Sequence, residues 1–212
     1  MELLAISVGS PQRVAHRGRE VETGIYKQPV AGVHQVTATG LATDVQVDLE
    51  NHGGPDKAIY AYTIENYQFW SRELQTELGP GRFGENFTVS AMPDEAVHIG
   101  DVFRCGELLL QVTQPRVPCF KLGIRMGDAH FVGRFHRSGR VGFYLRVLET
   151  GSVEAGRDIE AVRRDPAALD IRDAMLALTD GPRQQEIIAR ALAIEALSAA
   201  WRESLTKRQG DR

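Results

Sequence analysis

The chain has 212 residues, of which 42% are hydrophobic and 25% are charged, as is ordinary for a soluble globular protein. It contains no apolar run near the roughly 20 residues of a membrane helix, and its first residues lack the pattern of a secretory signal. The only two cysteines are Cys105 and Cys119, which favours a reducing compartment over a disulfide framework. We therefore expect a cytoplasmic protein without a membrane partner.

The formal net charge of −3 conceals an uneven distribution of charge. Residues 41–101 hold eleven acids and three bases, whereas residues 113–146 hold seven bases and a single acid, Asp128. A local basic field in a mildly acidic protein suits a small anionic ligand better than a nucleic acid. The alternative is a basic face exposed to solvent.

Short runs typical of strands, separated by glycine turns, fill the first three quarters of the chain. The predicted strands are residues 3–8, 33–39, 44–49, 87–89, 102–105, 108–113 and 142–148. Gly106 and Glu107 stand between two of these runs, a spacing that predicts a hairpin. Many short strands with glycine turns favour a barrel or a strongly curved sheet.

One amphipathic helix is predicted from about residue 63 to residue 78, where Gly79-Pro80-Gly81 ends it. Its apolar stripe, spaced as on a helix face, consists of Ile64, Tyr67, Trp70, Ser71, Leu74 and Leu78. Such a stripe is more typical of core packing than of a cofactor site.

Towards the C-terminus the composition changes to Ala, Leu, Arg and Glu. Asp170 with Asp173 three residues later resembles a capping box and predicts the start of a helix, which Asp180-Gly181-Pro182 breaks. The helical spacing of residues 187–205 fits one long helix or two joined near Ile194.

The segment Gln114-Pro115-Arg116-Val117-Pro118-Cys119-Phe120-Lys121-Leu122 carries the clearest chemistry. Its two prolines end strand pairing and stiffen the backbone, so Cys119 is presented on a rigid loop. Arg116 and Lys121 flank the thiol, and nearby cations favour the thiolate, which attacks substrates or binds soft metals. The alternative is a buried, inert cysteine, and Cys105 within a predicted strand fits that description better.

Three further turns carry polar groups at strand ends. They are His52-Gly53-Gly54-Pro55-Asp56-Lys57, Arg82-Phe83-Gly84-Glu85-Asn86 and Gly139-Arg140-Val141-Gly142. Paired glycines allow the backbone to approach an anion closely, and Lys57 would add a full charge, although a plain turn explains the pattern equally well. His52 has no second ligand at chelating spacing and is more typical of a structural residue.

These segments together resemble the MOSC domain, the C-terminal domain of molybdenum-cofactor sulfurases that also occurs in free-standing bacterial proteins. HGGPDKAIYAY, FGENFTV, QPRVPCFKL and GRVGFYLRVLE occur in the order of the family over about residues 1–160. The tail resembles the three-helix (3-alpha) extension of the YiiM-like branch. The resemblance implies an α+β protein that is mainly β, with a barrel-like MOSC domain over residues 1–165 and a small helical domain over residues 166–212.

The resemblance also implies a molybdenum cofactor, molybdopterin-bound Mo, with Cys119 as the protein ligand of the metal. Residues expected to bind the cofactor are His52, Gly53, Gly54, Lys57, Gly84, Glu85, Asn86, Arg116, Pro118, Cys119 and Arg140. Cys119, Asn86 and Gln114 are the catalytic candidates, and Glu85 is a further candidate for orienting substrate or donating a proton. Lys57, Arg116 and Arg140 suit the phosphate of the pterin.

The resemblance further implies reduction of N-hydroxylated compounds such as hydroxylaminopurine-type base analogues, a detoxifying reaction that consumes two electrons and releases water. The chain contains no flavin, haem or iron–sulfur motif, so the resemblance implies a flavin or iron–sulfur reductase as electron donor. The expected partners are thus a reductase and a small-molecule substrate, with no nucleic acid. Two alternatives remain open: a non-catalytic carrier of sulfur or cofactor on Cys119, and a structural or sensor protein with a vestigial cleft.

Overall fold

A computed structural model of the protein describes residues 1–45, 47, 53–179 and 181–210. Within these residues the strands are β1 (Glu2–Val8), β2 (Gln12–His16), β3 (Arg19–Thr23), β4 (Gln28–Val30), β5 (His34–Thr37), β6 (Gly40–Leu41), β7 (Ile59–Thr63), β8 (Phe87–Ser90), β9 (Val102–Cys105), β10 (Leu108–Pro115), β11 (Phe143–Glu149), β12 (Gly151–Val153) and β13 (Arg157–Arg163). The α-helices are α1 (Ile64–Leu74), α2 (Phe120–Met126), α3 (Phe131–Ser138), α4 (Ile171–Ala174), α5 (Gln184–Ala193) and α6 (Ala199–Gly210). Two 3-10 helices are η1 (Pro55–Lys57) and η2 (Met175–Leu178).

Eight strands form the main sheet in the order β13-β9-β10-β11-β7-β8-β1-β4. The sheet closes into a barrel because β1 also pairs with β13, through Glu2 with Asp158 and Leu3 with Arg157. All neighbours are antiparallel except β7 and β8, which run parallel. The closed, mainly β architecture confirms the predicted fold class, and the pairing of Cys105 with Leu108 confirms the hairpin at residues 106–107.

Aromatic side chains fill the space between α1, α3 and the barrel. The five residues of β7 are all buried, because this strand lies inside the sheet with β8 and β11 on its two sides. The ring of Tyr62 packs 4.5 Å from that of Phe83, and Trp70 on α1 packs 4.8 Å from Phe131 on α3. The stripe predicted for α1 therefore contributes to the core, as Tyr67 and Trp70 are almost fully buried.

Helix α1 ends earlier than the predicted residue 78. Gln75 adopts a left-handed conformation with φ 50°, and its N–H donates to the carbonyls of Ser71 and Arg72. This cap stops the helix at Leu74, so Leu78 lies beyond it and only partly covers the core.

Helices α2 and α3 are absent from the sequence-based prediction, which allowed a single helix in this part of the chain. Each ends at a glycine in the left-handed conformation, Gly127 with φ 70° and Gly139 with φ 66°. Both helices are short, seven and eight residues, and their periodic signal is correspondingly weak.

The strand predicted for residues 44–49 is not formed at 44, 45 and 47, and its other positions lie outside the described residues.

The C-terminal helices pack on the barrel and extend its hydrophobic core. Asp170 caps α4, since its Oδ1 accepts a 2.7 Å hydrogen bond from the N–H of Asp173, as the capping box predicted. Residues 194–198 separate α5 from α6, so residues 187–205 form parts of two helices rather than one long helix. The division of the chain at residue 165 stays a prediction.

In the part of the chain that the structure describes, no helix is long and apolar enough to cross a membrane.

Candidate functional site

A cleft with about 640 Å³ of space, partly open to solvent, lies beside Cys119. Five residues that the sequence pointed to as site residues border this cleft: Lys57, Gly84, Asn86, Arg116 and Cys119. They come from three separate segments of the chain, so the fold brings together groups that are up to 62 positions apart (57 to 119). Lys121, which flanks the thiol in sequence, also borders the cleft.

Cys119 is half-buried and stands directly before α2. Its backbone is extended, with φ −117° and ψ 170°, as the proline-stiffened loop predicted, and its carbonyl accepts a 3.0 Å hydrogen bond from the N–H of Leu122. The thiol therefore borders open space at the end of a fixed segment. Cys105 differs, because it is fully buried and burial raises the pKa of its thiol to about 11. Neither cysteine forms a disulfide bond.

Arg116 is the deepest cation of the cleft, with only 5% of its surface exposed. Its backbone N–H donates to the carbonyl of Gly142 at 3.1 Å, which fixes the loop. The guanidinium lies 5.5 Å from the ring centre of Tyr60 and 5.4 Å from that of Phe135. Its Nη1 is buried and has no hydrogen-bond partner among the residues that the structure describes. A buried, unsatisfied donor costs free energy, which an anionic ligand would offset.

Two tyrosines that the sequence did not single out form part of the wall. Tyr60 and Tyr144 both border the cleft, with ring centres 5.4 Å apart. The hydroxyl of Tyr60 donates to the carbonyl of Val141 at 2.8 Å. Burial raises the pKa of both phenols, so both stay protonated and uncharged at neutral pH. Their positions in predicted apolar strands gave no signal of a role in the site.

A buried ion pair between Lys27 and Asp44 also borders the cleft. Asp44 accepts further hydrogen bonds from Gly9 N–H at 2.8 Å and from Asn86 Nδ2 at 2.8 Å. Burial lowers the pKa of Lys27, while Asp44 opposes that shift. Sequence reasoning missed this pair because Lys27 and Asp44 are 17 positions apart with no motif around either.

Both the nitrogen and the oxygen of the Asn86 side-chain amide form hydrogen bonds. Its Nδ2 contacts Asp44, and its Oδ1 accepts a 3.2 Å hydrogen bond from the backbone N–H of Tyr60. Asn86 therefore holds Asp44 and β7 in place at the edge of the cleft. Its predicted role towards a ligand stays a prediction.

Glu85 does not border the cleft but is fully buried beside it. Its carboxylate accepts hydrogen bonds from Tyr67, from the N–H of Gly81 at 2.6 Å and from Thr88 at 2.9 Å. Burial raises the pKa of Glu85, and the hydrogen bonds oppose that shift. The structure thus places Glu85 where it shapes the turn that carries Gly84, rather than in contact with a ligand in the cleft.

Arg140 also lies outside the cleft. Its Nη1 donates to Asn66 Oδ1 at 3.2 Å, and its guanidinium lies 4.6 Å from the ring centre of Phe69. Of the seven bases in residues 113–146, only Arg116 and Lys121 border the cleft. Arg146, for example, binds Asp56 at 2.6 Å. The basic segment of the sequence is therefore not a single basic surface.

The remaining predicted residues lie around the cleft. Gly53 and Gly54 precede η1 without bordering the cleft, and Gly54, with φ 91°, accepts a hydrogen bond from the N–H of Lys57 at 3.0 Å. Gln114 is buried and accepts a 2.6 Å hydrogen bond from Ser198. Gln114 and Pro118 border a separate hollow beside the C-terminal helices. The prediction for His52 lies outside the described residues.

Asp94 fixes the turn that accepts the backbone of Arg116. This buried carboxylate accepts hydrogen bonds from the N–H groups of Val141 at 3.1 Å and Gly142 at 2.6 Å, and from Asn66. Burial raises the pKa of Asp94 to about 6, against the effect of these hydrogen bonds. Gly142 itself needs to be glycine, since φ is 69° and a Cβ would lie 2.5 Å from the carbonyl oxygen of Ala61.

Comparison with known proteins identifies the family. The MOSC domain model matches residues 48–160. YflK of Bacillus subtilis (strain 168) is 39% identical over 207 residues, which cover 98% of this chain and 94% of YflK. A protein of Gibberella moniliformis named as a reductase is 36% identical over 166 residues, which cover 76% of this chain but 29% of the fungal protein.

A solved structure agrees with these matches over the whole chain. The crystal structure of YiiM from Geobacillus stearothermophilus has a TM-score of 0.83 and 32% identity, and the alignment covers 99% of both chains. The similarity thus includes the C-terminal helices as well as the barrel. The chain belongs to the MOSC domain family, in its YiiM-like branch.

Proposed function

We propose that the protein binds the molybdenum cofactor with Cys119 as the protein ligand of the metal, and that it reduces N-hydroxylated small molecules with electrons from a separate reductase. The observation that carries this proposal is the position of Cys119, half-buried on a fixed loop at the edge of a cleft that also contains Lys57, Arg116 and Lys121. A thiolate is a suitable ligand for a metal that is already bound by sulfur.

The charges of the cleft fit the cofactor. The described residues that border it include four cations, Lys27, Lys57, Arg116 and Lys121, against one carboxylate, Asp44. The pterin carries a phosphate, and a buried guanidinium with an unsatisfied Nη1 is a suitable partner for a phosphate oxygen. Arg116, Lys57 and Lys121 are therefore the residues that would hold the anionic part of the cofactor.

Gly24 and Gly84 allow segments of the cleft wall to pack closely. A Cβ on Gly84 would lie 2.8 Å from Ile25, and one on Gly24 would lie 2.7 Å from the carbonyl oxygen of Val45. Both glycines border the cleft, so any larger residue at either position would push its wall inward. The glycines therefore keep the cleft open beside its cations.

The bound cofactor would supply the two-electron redox chemistry. Reduction of an N-hydroxylated amine consumes two electrons and two protons and forms the amine and water. The chain must therefore deliver protons near Cys119. Lys57 is suited to this task, because it borders the same open space as Cys119. The tyrosines of the wall exclude water from the side of the barrel.

The relatives support an oxidoreductase. The fungal protein named as a reductase matches this chain over only 29% of its length, so most of that protein lies outside the shared region. That arrangement is consistent with a MOSC domain that receives electrons from other protein parts. In the present chain the donor would be a separate flavin or iron–sulfur protein.

Expression in a host that makes the cofactor tests the proposal. We expect about one molybdenum per chain by elemental analysis, and conversion of 6-hydroxylaminopurine to adenine when a flavin reductase and NADH are added. Protein from a host that cannot make the cofactor is the matched control and should be inactive. A persulfide on Cys119 without molybdenum would contradict the proposal and favour a sulfur carrier instead. Protein with neither molybdenum nor turnover would also contradict it.

A further inference from the structure

A second hollow reaches Cys119 from the side of the C-terminal helices. It has about 900 Å³ of space, partly open to solvent. Cys119, Lys57 and Tyr144 border both this hollow and the cleft described above. The sulfur atom therefore lies between two spaces, one inside the basic wall of the barrel and the other between the barrel and the helices. We call the second space the helical hollow.

The far wall of the helical hollow consists of residues from η2 and α6. They are Leu178, Ala200, Trp201, Ser204 and Arg208. On α6 the last three share one face, because they are spaced by three and four positions. Trp201 is almost fully buried, whereas Ser204 and Arg208 are exposed.

Helix α6 is held at this position by the same elements that carry the site. The N–H of Ser198 donates to the carbonyl of Thr113 on β10 at 3.2 Å, and its hydroxyl donates to Gln114 at 2.6 Å. The N–H of Ala199 donates to Asp56 on η1 at 2.9 Å. Because η1 carries Lys57 and β10 leads to Cys119, the distance from α6 to the thiol is fixed by short, direct contacts.

The two spaces differ in their lining. Four cations border the cleft, which also contains the unsatisfied Nη1 of Arg116, whereas the helical hollow combines two cations, Lys57 and Arg208, with apolar surface. Apolar surface is supplied by Leu178, Ala200 and Trp201, and hydrogen-bonding groups by Ser204 and Arg208. A mixed lining of this kind suits a planar heterocycle, which has an apolar face and polar ring atoms.

We propose that the helical hollow is the substrate-binding space and that α6 is its specificity-determining wall, which selects planar heterocycles of nucleobase size. This inference rests on the proposed function of Cys119 and assigns the second ligand of the same site. The cofactor would occupy the cleft and the substrate the helical hollow, with the sulfur between them. The C-terminal helices thus form part of the active site rather than an appendage.

Ser204→Trp tests the assignment, since it fills the hollow from an exposed position and removes no core side chain. Thr206→Trp is the matched control, because it places the same side chain on the same helix at an exposed position outside the hollow. Calorimetric titration with adenine and with 6-hydroxylaminopurine measures binding directly. We expect Ser204→Trp to weaken binding at least tenfold, and Thr206→Trp to leave it within twofold of wild type.

Arg208→Ala provides a second, milder variant, which should weaken binding by about threefold through loss of a hydrogen-bonding group. Molybdenum content should be equal in wild type and all three variants. Wild-type affinity in Ser204→Trp would overturn the inference, as would wild-type protein that retains molybdenum but binds neither purine. A third outcome separates the two proposals: purines bind to wild type and Ser204→Trp weakens their binding, but no preparation contains molybdenum. The proposed function would then fail, and the assignment of the hollow would stand.

Discussion

At its first residue, β10 pairs Leu108 with Cys105 across a tight hairpin, and both side chains are completely buried in apolar surroundings. At its last residues the same strand leads through Gln114 and Pro115 to Arg116, whose buried Nη1 has no partner within the described residues. At the first end, the side chains of Cys105 and Leu108 are apolar and completely buried, so their packing leaves no polar group without a partner. The second end keeps an uncompensated donor inside the protein, a cost that folding alone does not explain.

The difference indicates where stability and function are located. Around Cys105 the hairpin holds the barrel together, and a thiol there behaves as a small apolar side chain. Around Cys119 the backbone is equally well fixed, by the prolines and by the hydrogen bond from Arg116 to Gly142, but the side chains face open space. A fixed backbone that carries one unsatisfied buried donor, Arg116 Nη1, is typical of a preorganised binding site.

The largest effect is expected from the cysteines themselves. Cys119→Ala should abolish molybdenum retention, because it removes the only sulfur atom bordering the described part of the cleft, and should leave the melting temperature nearly unchanged. Cys105→Ala should retain molybdenum and lose about 1 kcal/mol of stability through a small cavity. Elemental analysis and thermal unfolding of both variants measure the contrast. Equal molybdenum content in wild type and Cys119→Ala would contradict the role of Cys119 as the ligand of the metal.

A smaller effect is expected at Arg116. Arg116→Met should lower molybdenum content at least tenfold, about 1.4 kcal/mol of binding free energy. The cofactor-free variant should be at least as stable as wild type, because methionine removes an unsatisfied buried donor. Arg140→Met is the control, since Arg140 lies outside the cleft. If it lost as much molybdenum as Arg116→Met, the cleft would not be the cofactor site.

The smallest effect concerns Asp94 and appears in stability rather than in binding. Its folded-state pKa of about 6 lies above the ordinary value of 3.8, so the folded state binds more protons than the unfolded state between these values. Wild-type stability should therefore fall as the pH rises from about 4 to 6, by up to roughly 2–3 kcal/mol from this group.

Asp94→Asn removes this titration, although it also disturbs the hydrogen bond from Asn66. Urea unfolding at several pH values should show that the stability difference between wild type and variant changes over this interval. A constant difference would mean that Asp94 is ionised throughout. Glu160→Gln, at an exposed position of β13, provides a surface control.

The features predicted correctly are those that the local sequence encodes. Alternating strands with glycine turns predicted the barrel, and the two prolines before Cys119 predicted its extended, fixed backbone. The capping pair Asp170 and Asp173 likewise depends only on residues three positions apart. Each of these signals depends on residues that are close in sequence, so it does not require knowledge of the tertiary contacts.

The features that were missed depend on long-range contacts. Lys27 meets Asp44 only because the segments after β3 and after β6 converge on the cleft, and no motif near either residue predicts the pair. Arg140 and Glu85 occur in the motifs that carry the family resemblance, yet the fold directs them to Phe69 and to Tyr67. A motif therefore identified the segments that surround the site, but not which of their side chains border it.

The pairing of β1 with β13 has a consequence for how the protein is made. Residues 2 and 3 contact residues 157 and 158, so the barrel cannot close until almost three quarters of the chain has left the ribosome. Until then the edges of β1 and β9 have unpaired backbone groups, which invite association with other chains. Such distant pairing slows folding, and yield in a foreign host should depend on translation speed and chaperone supply as much as on the stability of the finished protein.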